Sequence, residues 1–245
     1  MANRLIVEGL SAGYGAVAVL RGLSLEVRQG ELVALLGTNG NGKSTLLNAI
    51  MGLIRSTAGA VRLEWEDGTK DLLGARAEQI VAQGVTLVPE GRRLFPHLTV
   101  EENLVLGGSG RRARARLRDN LDFAFATFPL LAERRKQRTR TMSGGQQQIL
   151  AIARALMSEP RVMLIDEPSV GLAPVAVDHV FESIKALQHE RGLAVLMSEQ
   201  SIVQTIAIAD RSYRITHGRI AKELDRERAK ASADDIRATL LGGVG

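Results

Sequence analysis

No cysteine occurs in the 245-residue chain. Disulfides, thiolate-ligated zinc and a thiol nucleophile are therefore excluded, and the composition fits a reducing compartment. Long apolar runs are also missing. A bilayer-spanning helix needs about 20 consecutive apolar residues. The longest candidate here, Ile149–Met157, is broken by Arg154. Met1–Glu8 lacks the apolar core of a secretion signal, so any membrane association is expected to run through a partner. Aromatic residues make up 3% of the chain. Phe123, Phe125 and Phe128 are spaced as a helix packing face rather than a base-stacking platform, so nucleic acid is not an expected partner.

Charge is present but uneven. The net charge is +5, with +7 in residues 108–140 and −2 in the rest of the chain. That segment has nine arginines and Lys136 against Asp119, Asp122 and Glu133. It is expected to be a solvated helical face, with anionic lipid headgroups as the functional alternative.

Hydrophobic periodicity sets out the elements. Residues 4–8 and 23–28 alternate apolar and polar, as half-buried strands do. Leu32–Leu36, Val85–Val88, Val162–Ile165 and Leu193–Met197 are short apolar runs expected as buried strands. Val61–Trp65 reads as a strand before a turn at Asp67-Gly68. Helices are expected over Lys43–Met51, Gln146–Met157 and Pro174–Arg191, the last with Pro at its first position and Gly192 past its end. Residues 212–221 read as a terminal hairpin. The expected organisation is a single domain, 1–245. Its α/β core is 1–89 and 161–245, and a helical subdomain, 90–160, is inserted.

Three motifs carry chemistry. Gly37-Thr38-Asn39-Gly40-Asn41-Gly42-Lys43-Ser44-Thr45 joins a buried strand to a helix, as a phosphate-binding loop must. Its backbone N–H groups and helix N-terminus suit the β-phosphate, Lys43 suits the β- and γ-phosphates, and the Ser44 hydroxyl suits Mg²⁺. Asp166 and Glu167 end a buried strand. Asp166 is placed to hold Mg²⁺ through a water, and Glu167 to polarise an attacking water. Ser143-Gly144-Gly145-Gln146 opens a helix and makes a second anion site. One nucleotide cannot fill both grips within one subunit.

The order and spacing of these motifs resemble the ATP-binding subunits of ABC transporters over essentially the whole chain. The resemblance implies an ABC-type P-loop NTPase fold, α/β, with N-terminal antiparallel strands and the helical subdomain carrying the signature. It implies two subunits facing head to tail, with each ATP between one phosphate loop and the other subunit's signature. Ser143, Gly144, Gly145 and Gln146 would then act in trans, and Tyr14 would stack on adenine. Val88–Pro96, Leu98–Leu104, Gly171–Pro174 and Ser198–Gln200 further resemble importers of branched-chain amino acids, in the second of that system's two ATPase subunits. Relatives of that type carry urea, short amides or aromatic acids. An ABC exporter and a soluble ABC ATPase of translation or repair are the remaining alternatives.

Three positions depart from the general family pattern. Glu90 replaces the usual glutamine that contacts Mg²⁺, Gln200 the usual histidine at the γ-phosphate, and Ala173 the usual aspartate. An amide at 200 donates a hydrogen bond but cannot carry a proton. The implied catalytic set is Glu167, Lys43 and Gln200, and the implied metal set is Ser44, Glu90 and Asp166. Implied partners are two permease subunits touching residues 90–105, a related second ATPase subunit (a homodimer being the alternative) and, indirectly, an extracytoplasmic solute-binding protein. The implied location is the cytoplasmic face of the plasma membrane.

Overall fold

The computed structural model describes residues 3–225. Residues 226–245 of the expected core therefore lie outside the described residues. The chain opens with two long strands, β1 (Arg4–Tyr14) and β2 (Val17–Arg28), paired antiparallel through a tight turn after Tyr14. Next come β3 (Leu32–Leu36), α1 (Lys43–Ile50), β4 (Ser56–Trp65), β5 (Gly68–Asp71), α2 (Ala77–Ala82) and β6 (Val85–Val88). Five helices follow: α3 (Val100–Gly107), α4 (Arg111–Arg114), α5 (Leu117–Thr127), α6 (Pro129–Glu133) and α7 (Gly144–Leu156). Alternating elements then complete the fold: β7 (Val162–Asp166), α8 (Pro174–Arg191), β8 (Ala194–Glu199), α9 (Ile202–Ile208), β9 (Arg211–Thr216) and β10 (Arg219–Asp225).

Two sheets result. The antiparallel sheet has the order β2-β1-β4-β5, and the larger sheet β10-β9-β3-β8-β7-β6. In the larger sheet only β10 is antiparallel to its neighbour. Its central strands are buried along their whole length because both faces are covered. Leu32, Ala34, Leu36, Met163, Ile165, Val195 and Met197 point into one core, with α7 and α8. Val33, Leu35, Val162, Leu164, Ala194 and Leu196 point into the other, with α1 and the antiparallel sheet. Each fully buried leucine contributes about 2 kcal/mol of transfer free energy. The two-residue period of a strand divides one apolar run between two cores.

β1 extends past the expected end at residue 8. The alternation stops there because the register shifts at Gly9 and again near Ser11, yet pairing to β2 and β4 continues across the bulges. Between β6 and β7 the described residues hold helices and no strand. Phe128 is buried there, and Phe123 and Phe125 pack against the same core, as a packing face should. Asn103 clamps this region. Its amide donates to the carbonyls of Phe95 and Thr99 and to Thr139 Oγ1, and its oxygen accepts from Phe95 N. Arg154 on α7 donates to the carbonyls of Arg93 and Arg92, two residues with left-handed backbone, and so holds the loop after Glu90.

The parallel register gathers four strand ends at one edge. Leu36 sits opposite Glu199, Asp166 opposite Ser198, and Val88 opposite Ile165. Gly37, Glu90, Asp166, Glu167 and Gln200 all follow from these ends, where open parallel sheets place ligands.

Candidate functional site

Residues 37–42 wrap the N-terminus of α1. Gly40 and Gly42 have φ of 80° and 99°, left-handed values that cost a side-chain-bearing residue. A Cβ at Gly37 would stand 2.8 Å from the Ile215 carbonyl oxygen. The loop is pinned by Asn41, whose amide donates to Thr38 Oγ1 at 2.7 Å and whose oxygen accepts from His217 N at 2.9 Å. Lys43 Nζ donates to the Gly37 carbonyl at 2.8 Å and the Thr38 carbonyl at 3.3 Å. Its third partner is Glu167 Oε1 at 2.9 Å, with both side chains buried. The ammonium thus occupies the centre of its own loop and is fully coordinated.

Glu167 has a left-handed φ of 44°, unusual away from glycine. Its backbone is held there by Ser198, because Glu167 N donates to both Ser198 O and Ser198 Oγ at 3.1 Å. The turn sends the Glu167 side chain away from that of Asp166. Gln200 Nε2 donates to Glu167 Oε2 at 2.6 Å. The carboxylate therefore sits between one lysine and one amide.

Asp166 Oδ1 accepts from Ser198 Oγ at 2.6 Å and from Ser44 Oγ at 3.1 Å. Burial pushes its carboxyl up from the ordinary value, the two serine hydroxyls act against that, and the charge of Glu167 adds to the rise. A hydroxyl and a carboxylate at this spacing fit a small hard cation that keeps waters and phosphate oxygens in its remaining positions. A cation there would favour the ionised Asp166. Glu90 is exposed and lines the same cavity, without a hydrogen bond to Ser44 or Asp166.

These groups surround an open cavity of about 460 Å³, whose walls include Tyr14, Asn39, Gly40, Gly42, Lys43, Ser44, Thr45, Glu90, Glu167 and Gln200. Tyr14, at the tip of the β1–β2 turn, is 55% exposed and stands at its edge. Gly37, Thr38 and Asn41 of the loop lie on its other side, against a cavity lined also by Ile202, Ile206 and Ile215. Ser143–Gln146 do not line the cavity. Ser143 is the N-cap of α7, with Gln146 N donating to its hydroxyl and Ser143 N donating to the Gln146 side chain. Gly145 packs against Ala176, where a Cβ would come within 2.9 Å. This turn therefore stands outside the cavity that the chain's own phosphate loop lines.

Ser198, Glu199 and Ser169 went unassigned in the sequence reading. Ser198 bridges Asp166 and the Glu167 backbone, and Glu199 binds Ser169. Ser198 and Glu199 stand inside a stretch noted only for its resemblance, and no local pattern marks their contacts.

Comparison with known proteins agrees with this geometry. The family model described as ABC transporter matches residues 20–170. The high-affinity branched-chain amino acid transport ATP-binding protein BraG of Pseudomonas aeruginosa is 42% identical, over 98% of this chain and all of that one. A probable branched-chain amino acid transport ATP-binding protein, LivF, of Archaeoglobus fulgidus is 32% identical, over 86% of this chain and 88% of its own. The solved ADP conformation of MJ1267, an ATP-binding cassette of an ABC transporter, superposes over the whole of both chains with a TM-score of 0.81 at 26% identity. A phosphate loop at the end of a central strand, a buried Asp-Glu pair beside it and a serine-capped signature helix complete the picture, and the chain belongs to the ABC transporter family as an ATP-binding, ATP-hydrolysing subunit.

Proposed function

We propose that the chain energises import of branched-chain amino acids. The observation that carries the hydrolytic part is the convergence of Lys43, Glu167 and Gln200 on one cavity beside Ser44 and Asp166. The solute rests on similarity to BraG and LivF, since no residue of this chain is read as contacting it.

Lys43 exchanges its carbonyl and Glu167 contacts for the β- and γ-phosphates. Tyr14 supports the adenine. Glu167, released from Lys43 and still held by Gln200, accepts a proton from the attacking water. Ser44, Asp166 and Glu90 are the residues that would hold Mg²⁺. The ion, when bound, neutralises charge on the phosphate oxygens. Ser143 and Gly145 contact the γ-phosphate of ATP bound by a second subunit, which their position outside the chain's own cavity supports. Closure of the two ATPase subunits around ATP moves the two permease subunits, which hold the chain at the cytoplasmic face of the membrane and receive solute from a binding protein. Gln200, in place of a histidine, supports a second ATPase subunit of different sequence.

Isotope-labelled uptake with and without this subunit tests the solute. Leucine uptake should depend on it, and urea and aromatic acids should not compete. Uptake of urea or an aromatic acid in place of leucine would move the chain to a sister system. A tight ATP-bound homodimer with full turnover would remove the requirement for a different partner.

A further inference from the structure

Glu199 is the last residue of β8 and is 1% exposed. Among the described residues it has no cationic partner within ion-pair distance. A buried carboxylate without a cation is costly unless several donors converge on it. Three do. Ser169 N donates to Oε1 at 2.9 Å, Ser169 Oγ donates to Oε2 at 2.8 Å, and Gln200 N donates to Oε2 at 3.1 Å. The backbone carbonyl of Glu199 accepts from Gly37 N at 3.3 Å. One residue thus touches the start of the phosphate loop, the residue that holds Glu167, and the turn that follows Glu167.

That turn runs on from Ser169 with Val170 N donating to the Glu167 carbonyl and Leu172 N to the Ser169 carbonyl. Val170 lines the nucleotide cavity. Leu172 packs beside Gly144, where a Cβ would stand 3.2 Å from its Cδ2. The loop therefore reaches from the hydrolytic carboxylate to the signature helix, and Ser169 is its anchor. A neutral amide cannot replace the carboxylate here. It has one acceptor oxygen, and its NH₂ would face a donor. Burial holds the Glu199 carboxyl above its ordinary value against the pull of the Ser169 and Gln200 bonds, and the nearby Glu167 charge adds to the rise.

We propose that Glu199 is a positioning residue for ATP hydrolysis, locking Gln200 and the Ser169–Ala173 loop into one unit that aims Glu167. The proposal rests on the assignment of Glu167 as the base. It differs from a purely structural role, which would be read in stability rather than in turnover.

The test uses the assembled transporter carrying Glu199→Gln, Ser169→Ala, the two together, or Glu167→Gln. Turnover, the KM for ATP and the thermal midpoint are measured for each. Glu199→Gln should lower kcat about tenfold and leave KM within about twofold, because the phosphate loop is untouched. Its midpoint should stay within a few degrees of wild type, because relief of the buried charge offsets the hydrogen bond lost to the amide NH₂. Ser169→Ala, on a half-buried loop residue that does not threaten folding, should lower kcat in the same way. The double variant should be no slower than Glu199→Gln alone, the mark of residues acting as one unit. Wild-type kcat in Glu199→Gln overturns the proposal. So does a lowered midpoint with kcat and KM altered together, or multiplication of the two single effects. Turnover retained by Glu167→Gln would remove the base and the proposal with it. An inactive Glu167→Gln beside a fully active Glu199→Gln would remove the proposal alone.

Discussion

The two proposed anion grips of this chain are built in opposite ways. Around the phosphate loop Lys43, Asp166 and Glu167 are buried and paired within the chain: Lys43 with Glu167 and two carbonyls, Asp166 with two serines. At the signature, Ser143 is exposed and its bonds are confined to its own helix turn, through Gln146. The first grip is a closed network that a nucleotide must open. The second has its helix N-terminus free and needs nothing rearranged inside the subunit to meet an anion. A pre-paired site costs reorganisation on binding, whereas an exposed cap costs desolvation and relies on a partner to close over it.

The comparison can be broken most sharply at Glu167. Replacing it with Gln keeps an acceptor for Gln200 but removes the base and the charge facing Lys43. Turnover should drop about a thousandfold, within the range of lost general-base catalysis. ATP binding should persist, and a closed, ATP-bound dimer should accumulate on size-exclusion chromatography. Full turnover would remove Glu167 from hydrolysis.

A smaller effect is expected at the cavity edge. Tyr14→Ala should weaken ATP binding about tenfold, in line with the worth of one base–aromatic stack, and leave kcat at saturating ATP nearly unchanged. Equal affinity for ATP in titration calorimetry would return Tyr14 to an ordinary surface aromatic.

Ser143→Ala separates the two grips. Loss of an N-cap costs about 1 kcal/mol of stability. ATP binding to the isolated subunit should be unaltered, because Ser143 lies outside its cavity. Turnover of the assembled pair should fall. Weakened binding in the isolated subunit would place Ser143 in its own site instead.

The smallest effect concerns charge burial. The raised Asp166 carboxyl means that the folded nucleotide-free chain holds that proton more tightly than the unfolded chain. Its contribution is most favourable below the ordinary aspartate range and is lost as pH rises through the folded value. Asp166→Asn should therefore melt later than wild type at neutral pH, with the gap closing as acid protonates Asp166. An earlier melt at neutral pH would mean that the serine hydroxyls outweigh the burial.

Much of this site was legible because its motifs are local. Gly37–Thr45 and Asp166-Glu167 are contiguous, and an apolar run before each says that a buried strand delivers it. Ser198 could not be read this way. Its partners Asp166 and Glu167 lie more than thirty residues away in the chain and become neighbours through the parallel β7–β8 register. The same register brings Gln200 to Glu167 and Glu199 to Ser169. Local pattern also falls short at Ile202–Ile208. Five of its seven residues are β-branched Ile, Val or Thr, and no helix was expected there. The segment is helical because Thr205 and Ile206 are buried against the parallel sheet, and packing overrides weak propensity.

The sequence alone determined the kind of machine. A phosphate loop, a signature turn and an acidic strand end in fixed order are local chemical requirements, and each is met by neighbouring residues. Tertiary structure decided how those parts are set against one another. Sheet register placed Lys43 on Glu167 and Ser198 under both acids, and it kept Ser143 away from the chain's own nucleotide cavity. Hydrogen bonds between strand ends depend on which strands are neighbours, and strand order is a property of the whole packed sheet.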